Sequence, residues 1–103
     1  MVKYRKAVRD KIPDIIRESG ASCVVKTLPD DEFLLEIEKK LKEEVEEYFQ
    51  SRSPFELADV IEVIYRIIEL RDISREELEK MRIEKLKKRG GYMKNLFLIE
   101  IIP

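Results

Sequence analysis

Four carboxylates in the middle of the chain lie at positions where two helical segments would face each other. Glu44 and Glu47 are three residues apart, as are Glu56 and Asp59, and side chains at this spacing share one face of a helix. Across an antiparallel turn centred between residues 51 and 52, Glu47 is level with Glu56 and Glu44 is level with Asp59. Because packed helices lie about 8–10 Å apart, these four acids can converge on a space the size of a hydrated ion.

Glu44 also occupies a position where the pattern calls for an apolar side chain. Leu34, Ile37 and Leu41 recur at three- and four-residue steps, and Glu44 continues this stripe before Tyr48. A carboxylate in such a place is costly unless it is paired or binds a metal. Since clustered like charges also repel one another, the pattern predicts a divalent metal site.

Less specific interpretations compete with this one. Glu43 and Glu46 form a second pair at the same spacing, and acid-rich helices usually carry such residues on a solvated face. Glu56 follows Ser53 by three residues, which is the spacing of a capping box. The acids could also hold a structural cation in a non-catalytic helical dimerisation or regulatory module.

The composition restricts the chemistry further. The chain has 103 residues, no histidine and one cysteine, Cys23, so thiolate–imidazole zinc sites and histidine-dependent nucleophilic catalysis are excluded. A metal here must have oxygen ligands, which suit magnesium, manganese or calcium. The net charge of −1 argues against general nucleic-acid binding. We find no apolar stretch of signal-peptide or membrane-span length, and expect a cytoplasmic protein.

The elements that position the acids are predicted to be mainly helical. Helix-starting and helix-ending signals and apolar periodicity predict helices over residues 13–19, 30–50, 54–71 and 74–88, and strands over residues 22–28 and 95–102. The fold class is therefore a mainly α helical bundle, built on an antiparallel helix hairpin with a minor two-stranded β element. We expect a single domain over residues 1–103.

Self-association is expected from the width of the apolar surface. The hairpin carries apolar residues on more than one side, including Tyr65, Ile67 and Ile68, and the flanking helices are short. Wide apolar helix faces require partners, so we expect a homodimer or a dimer of dimers.

Three motifs together resemble a known enzyme family. EEVEE at residues 43–47 followed by ELAD at residues 56–59 resembles the ExxE…ExxD signature of the MazG-like all-α nucleoside triphosphate pyrophosphohydrolases. VRDKIPDII at residues 8–16 and RGGY at residues 89–92 resemble a small single-domain branch, of phosphoribosyl-ATP pyrophosphohydrolase-like or house-cleaning type. One departure is the spacing, because only eight residues separate Glu47 from Glu56, where the family often has a longer insert.

The resemblance implies a function and a set of ligands. It implies Mg²⁺-dependent hydrolysis of a nucleoside triphosphate, standard or modified, to the monophosphate and pyrophosphate. Glu44 and Glu47 would form the first pair of metal ligands, and Glu56 and Asp59 the second. Mn²⁺ would substitute for Mg²⁺, and phosphoribosyl-ATP is an alternative substrate.

Catalytic and substrate-binding residues follow from the same motifs. Glu44 and Glu47 are the candidates for accepting a proton from the attacking water, because a carboxylate that metal does not saturate can act as a general base. Arg9, Lys11 and Arg89 are the candidate contacts to the substrate phosphates. As isolated residues, each of these three cations would be an ordinary surface charge.

Overall fold

The computed structural model describes residues 4–103. It contains four helices in this part of the chain: α1 (Ile12–Glu18), α2 (Asp30–Ser51), α3 (Pro54–Leu70) and α4 (Arg75–Arg89). The prediction of a mainly α fold is confirmed. The chain forms two compact units, one ending at Ile73 and one spanning Ser74–Pro103. The single-domain organisation stays a prediction.

Helices α2 and α3 form the hairpin predicted from the sequence. Arg52 ends α2 in the left-handed conformation, with φ of 58°, and its N–H donates to the Tyr48 carbonyl at 2.7 Å. Ser53 caps α3, and its Oγ accepts the Phe55 N–H at 3.3 Å. Pro54 occupies the first turn, where its missing N–H has no cost. This two-residue connection turns the chain back on itself, so that α2 and α3 pack side by side.

The core of the first unit lies along one side of the hairpin. Ala7, from the segment before α1, is buried against Ile37 of α2 and Val63 of α3. The half-buried apolar residues that pack around these three are Phe33, Leu34, Leu41, Ile67 and Leu70. Ile68 is buried as well. Two of the residues on which we based self-association, Ile67 and Ile68, therefore pack within the unit itself.

The predicted two-stranded β element is absent from the described residues. Neither residues 22–28 nor residues 95–102 form a strand. Val24 is fully exposed, and the large apolar side chains of the segment from Leu96 to Ile102 are each at least 76% exposed. The β-branched composition misled us, because β-propensity mostly reflects packing against neighbouring strands, and an isolated pair of strands is only marginally stable.

The second unit contains α4 and the segment that follows it. Ser74 caps α4 by accepting the Glu77 N–H at 3.1 Å, and Gly90, with φ of 79°, follows the last helical residue. Acidic residues occupy the first turn and basic residues the last, in agreement with the helix dipole. No residue of α4 is buried. Among the described residues, we find no helix that combines the length and the apolar character of a membrane span.

Candidate metal centre

Three of the four predicted ligands converge on one point between the hairpin helices. Glu44 projects from α2, while Glu56 and Asp59 project from α3. One carboxylate oxygen of each lies within 4.8 Å of the corresponding oxygens of the other two. The hairpin thus brings together acids from the EEVEE and ELAD motifs.

Glu47 belongs to an adjoining group. Its carboxylate lies within 4.8 Å of oxygens from Glu43 and Glu44. Glu44 is therefore common to both groups and links them into one acidic cluster. Glu43, which we assigned to a solvated face, is half-buried in this cluster. The sequence signal for Glu43 was its membership of the EEVEE motif, but helical periodicity alone favoured its neighbour.

Two carboxylate oxygens in the cluster are buried without hydrogen-bond partners. Glu44 is 6% exposed. Neither its Oε2 nor the Oε2 of Glu56 has a partner among the described residues. A buried polar oxygen without a partner carries the cost of its lost hydration, so both atoms are available to accept a proton, a hydrogen bond or a cation. A hard divalent cation fits this all-oxygen donor set.

The local structure of the connection leaves Glu56 free for such a role. In a capping box, the Glu56 carboxylate would accept the Ser53 N–H. Instead, the Ser53 N–H donates to the Ser51 Oγ at 3.1 Å, and the Ser53 Oγ accepts from Phe55 rather than from Glu56. The capping-box interpretation of Glu56 is therefore wrong.

Cations approach the cluster from its two sides. Arg9 donates from Nη2 to Asp59 Oδ1 at 2.7 Å. Lys6 Nζ lies 3.1 Å from Glu43 Oε1. Lys40 Nζ lies 3.5 Å from the same oxygen and 3.4 Å from Glu44 Oε1. We did not identify Lys40 from the sequence, although its position one helical turn before Glu43 and Glu44 was the available signal.

The environment shifts the pKa values of two carboxyls in opposite directions. Burial raises the pKa of Glu44, and the charge of Glu47 together with a hydrogen bond between the two carboxyls raises it further, against the opposing effect of Lys40. Burial also tends to raise the pKa of Glu43, but the hydrogen bond from Lys6 and the charge of Lys40 outweigh it, so the pKa of Glu43 is lowered. Of these two acids, Glu44 is the one whose charged form is disfavoured by its surroundings.

The three predicted phosphate contacts lie in different settings. Arg9 belongs to the cluster through Asp59 and is 58% exposed. Lys11 is exposed at the N-cap of α1. Arg89 is the last residue of α4 in the second unit, where it lines an open depression with Met81, Glu84, Lys85 and Lys88. Arg9 contacts a candidate metal ligand within the first unit.

Comparison with known proteins identifies one partial relative but no family. A protein of Mycolicibacterium smegmatis described as an uncharacterized protein is 52% identical over 40 residues, which is 39% of this chain. The aligned residues span 41% of that protein's length. No family model matches the chain. No solved structure matches it either.

Proposed function

We propose that this protein is a Mg²⁺-dependent nucleotide pyrophosphohydrolase of the MazG-like kind, acting in the cytoplasm. The observation that carries the proposal is the convergence of Glu44, Glu56 and Asp59 across the hairpin, with two of their oxygens buried and unpartnered within the described residues. The resemblance of the EEVEE, ELAD, VRDKIPDII and RGGY motifs to that family supports the same function.

The donor set suits the proposed metal. Glu44, Glu56 and Asp59 would hold Mg²⁺, or Mn²⁺ in its place, and Glu47 would complete the set from the adjoining group. All four donors are carboxylates, which hard divalent cations prefer. When bound, the ion supplies neutralisation of the charge on the phosphate oxygens of the substrate.

The remaining groups of the cluster have roles that the protein itself can perform. Oxygens of Glu44 and Glu47 lie within 4.8 Å of each other, and a carboxylate that the metal does not saturate can take a proton from water. Arg9 uses one Nη2 donor on Asp59, and a guanidinium carries five N–H donors in all. Since Arg9 is more than half exposed, its remaining donors can bind a substrate phosphate. Lys11 and Arg89 are proposed as further phosphate contacts on the resemblance alone.

The proposal is tested by the products of hydrolysis. We expect pyrophosphate release from a member of a panel of standard and modified nucleoside triphosphates, with phosphoribosyl-ATP included, when Mg²⁺ is present and not when it is chelated. Water attack next to the nucleoside predicts that ¹⁸O from labelled water enters the monophosphate. Label in orthophosphate, together with a nucleoside diphosphate, contradicts the proposed cleavage. Metal binding without hydrolysis of any nucleotide would instead identify a non-catalytic metal-binding module.

We extend the proposal to self-association through the long helices. Leu35 and Phe49 of α2 are each 61% exposed, and Phe55 and Ile61 of α3 are 81% and 50% exposed. Apolar side chains at this density on two neighbouring helices are typical of a surface that binds another chain. We expect a homodimer or a dimer of dimers, and light scattering that shows a monomer at micromolar concentration contradicts it.

A further inference from the structure

The acidic cluster contains two groups of carboxylates whose surroundings differ. In the group formed by Glu44, Glu56 and Asp59, Asp59 accepts a hydrogen bond from Arg9 at 2.7 Å. The same group contains both of the buried oxygens that lack hydrogen-bond partners among the described residues. The group formed by Glu43, Glu44 and Glu47 lies against ammonium ions that the chain itself supplies. A cluster of five acids could hold two divalent ions, so this difference bears on how many it binds.

Lys40 lies one helical turn before Glu43 and Glu44 and pairs with both of them. Its Nζ lies 3.5 Å from Glu43 Oε1 and 3.4 Å from Glu44 Oε1, and its side chain is 17% exposed. Ion pairs of this low exposure are weakly screened by salt. Lys6 adds a second ammonium 3.1 Å from the same Glu43 oxygen, although its side chain is 42% exposed. Glu43 therefore has two ammonium groups beside it without any metal.

The two oxygens of Glu44 divide between these surroundings. Oε1 faces Lys40 at 3.4 Å, whereas Oε2 is buried with no partner among the described residues. Glu44 is only 6% exposed, so this second oxygen has little access to bulk water. Glu44 is thus paired with a fixed cation on one side and has a free donor atom on the other.

We infer that Lys40 is a built-in cation that occupies the place of a second divalent ion and limits the acidic cluster to one bound metal. This inference rests on the proposed metal centre, whose ion would lie at Glu44, Glu56 and Asp59. Lys40 acts as a positioning residue, because it fixes Glu44 Oε1 and leaves Oε2 for the metal. A divalent ion at the Glu43–Glu44 side would have to displace the ammonium, and like charges at such distances repel strongly.

The test is the number of Mn²⁺ ions bound per chain. The whole protein is titrated with Mn²⁺, the free ion is measured by electron paramagnetic resonance, and the bound ion is the difference from the total. We expect one Mn²⁺ in the wild-type protein and two in Lys40→Met, in which the cation is lost but the length of the side chain is kept. Lys40→Arg keeps the positive charge, so this variant should bind one Mn²⁺. Lys39→Met is the matched control, because Lys39 is the next residue, is 74% exposed and pairs with Glu36 at 3.1 Å; it should also bind one.

Thermal unfolding of each variant establishes that the protein is folded, and Lys40→Gln replaces Lys40→Met if the latter is unfolded. Two ions in the wild-type protein, or one ion in a folded Lys40→Met or Lys40→Gln protein, overturns the inference while the proposed metal centre stands. A second ion in Lys39→Met overturns it as well, because the effect would then be one of net charge. No binding by the wild-type protein contradicts the proposed metal centre itself, and the inference with it.

Discussion

Helices α2 and α4 are both rich in glutamate and lysine, yet their carboxylates lie in different environments. On α4, Glu79 accepts a hydrogen bond from Arg82 Nε at 3.0 Å, and no residue of this helix is buried. On α2, Glu44 is 6% exposed and has an oxygen without a partner among the described residues. The same residue type is a solvated surface group on one helix and a candidate metal ligand on the other.

The difference shows that the density of acidic residues is a poor indicator of function. Water and a neighbouring arginine satisfy Glu79, so its ion pair adds little to stability. The packing of α2 against α3 removes most of the water around Glu44. The cost of burying its carboxylate then depends on which groups replace that water. The informative property was the position of Glu44 on an apolar stripe, together with acids at the matching height of the next helix.

The largest expected difference between the buried acids of the hairpin and the exposed acids of α4 is in the effect of substitution on activity. Asp59→Asn removes a charged donor from the proposed metal centre and should lower Mg²⁺-dependent pyrophosphate release at least about 100-fold, since even the residues that merely support metal ligands are worth about 10–100-fold. Glu79→Gln on α4 is the matched control and should leave the rate unchanged. The rates are compared at saturating Mg²⁺, after far-UV circular dichroism shows both variants folded. Full activity of Asp59→Asn would remove Asp59 from the proposed site.

A smaller effect is expected on the stability of the metal-free protein. Glu44→Gln keeps the shape of the side chain but removes a buried charge, so it should raise the free energy of unfolding by about 1 kcal/mol. For a domain of this size, that corresponds to a rise in Tm of about 4–8 °C. Glu79→Gln should show no such rise. Differential scanning calorimetry in the presence of a chelator measures the Tm of both variants. A lowered Tm for Glu44→Gln would contradict the claim that the buried charge of Glu44 destabilises the metal-free protein.

The pH dependence of this effect has a definite sign. The pKa of Glu44 is raised in the folded protein from its ordinary value of 4.5, so the folded state binds the proton more tightly than the unfolded state. The free energy of unfolding then falls as pH rises from 4.5 through the folded pKa. We expect the advantage of Glu44→Gln to be present at neutral pH and to vanish below pH 4.5. An advantage independent of pH would mean that charge is not its cause.

An effect of similar size, but without a role in the metal centre, is expected at the two helix starts. Ser74→Ala removes the cap of α4 and should lower the free energy of unfolding by about 1 kcal/mol. Glu56→Gln, at the start of α3, should cause no comparable loss, because the Ser53 N–H already donates to Ser51. Urea denaturation of the chelated proteins compares the two. If Glu56→Gln lowered the free energy of unfolding as much as Ser74→Ala, Glu56 would have a capping role after all.

Much of the hairpin and its acids could be predicted from the sequence, because the relevant signals are local. The helix boundaries follow from apolar periodicity and from Pro54, Ser53 and Ser74, and the matched heights of Glu44 and Asp59 follow from one short turn. Lys40 was missed because lysines on acid-rich helices are usually solvated. Its low exposure depends on how α2 packs, which composition does not reveal.

The β element failed as a prediction for a related reason. A helix satisfies its own backbone hydrogen bonds, so the signals that mark it are local in sequence, whereas a strand depends on a partner elsewhere in the chain. Residues 22–28 and 95–102 have the composition of strands, but composition does not say whether they meet.

The two-residue connection between α2 and α3 has a consequence for the order of events in folding. Glu44, Glu56 and Asp59 approach one another through a single hairpin, and contacts this local form early and quickly. Repulsion among the acids therefore opposes the step that closes the hairpin. Removing that repulsion, by Glu44→Gln or by a bound divalent ion, should increase the refolding rate in stopped-flow experiments rather than act on the unfolding rate alone. The chain would then acquire its candidate metal centre during its first long-lived contacts, before the rest of the molecule is in place.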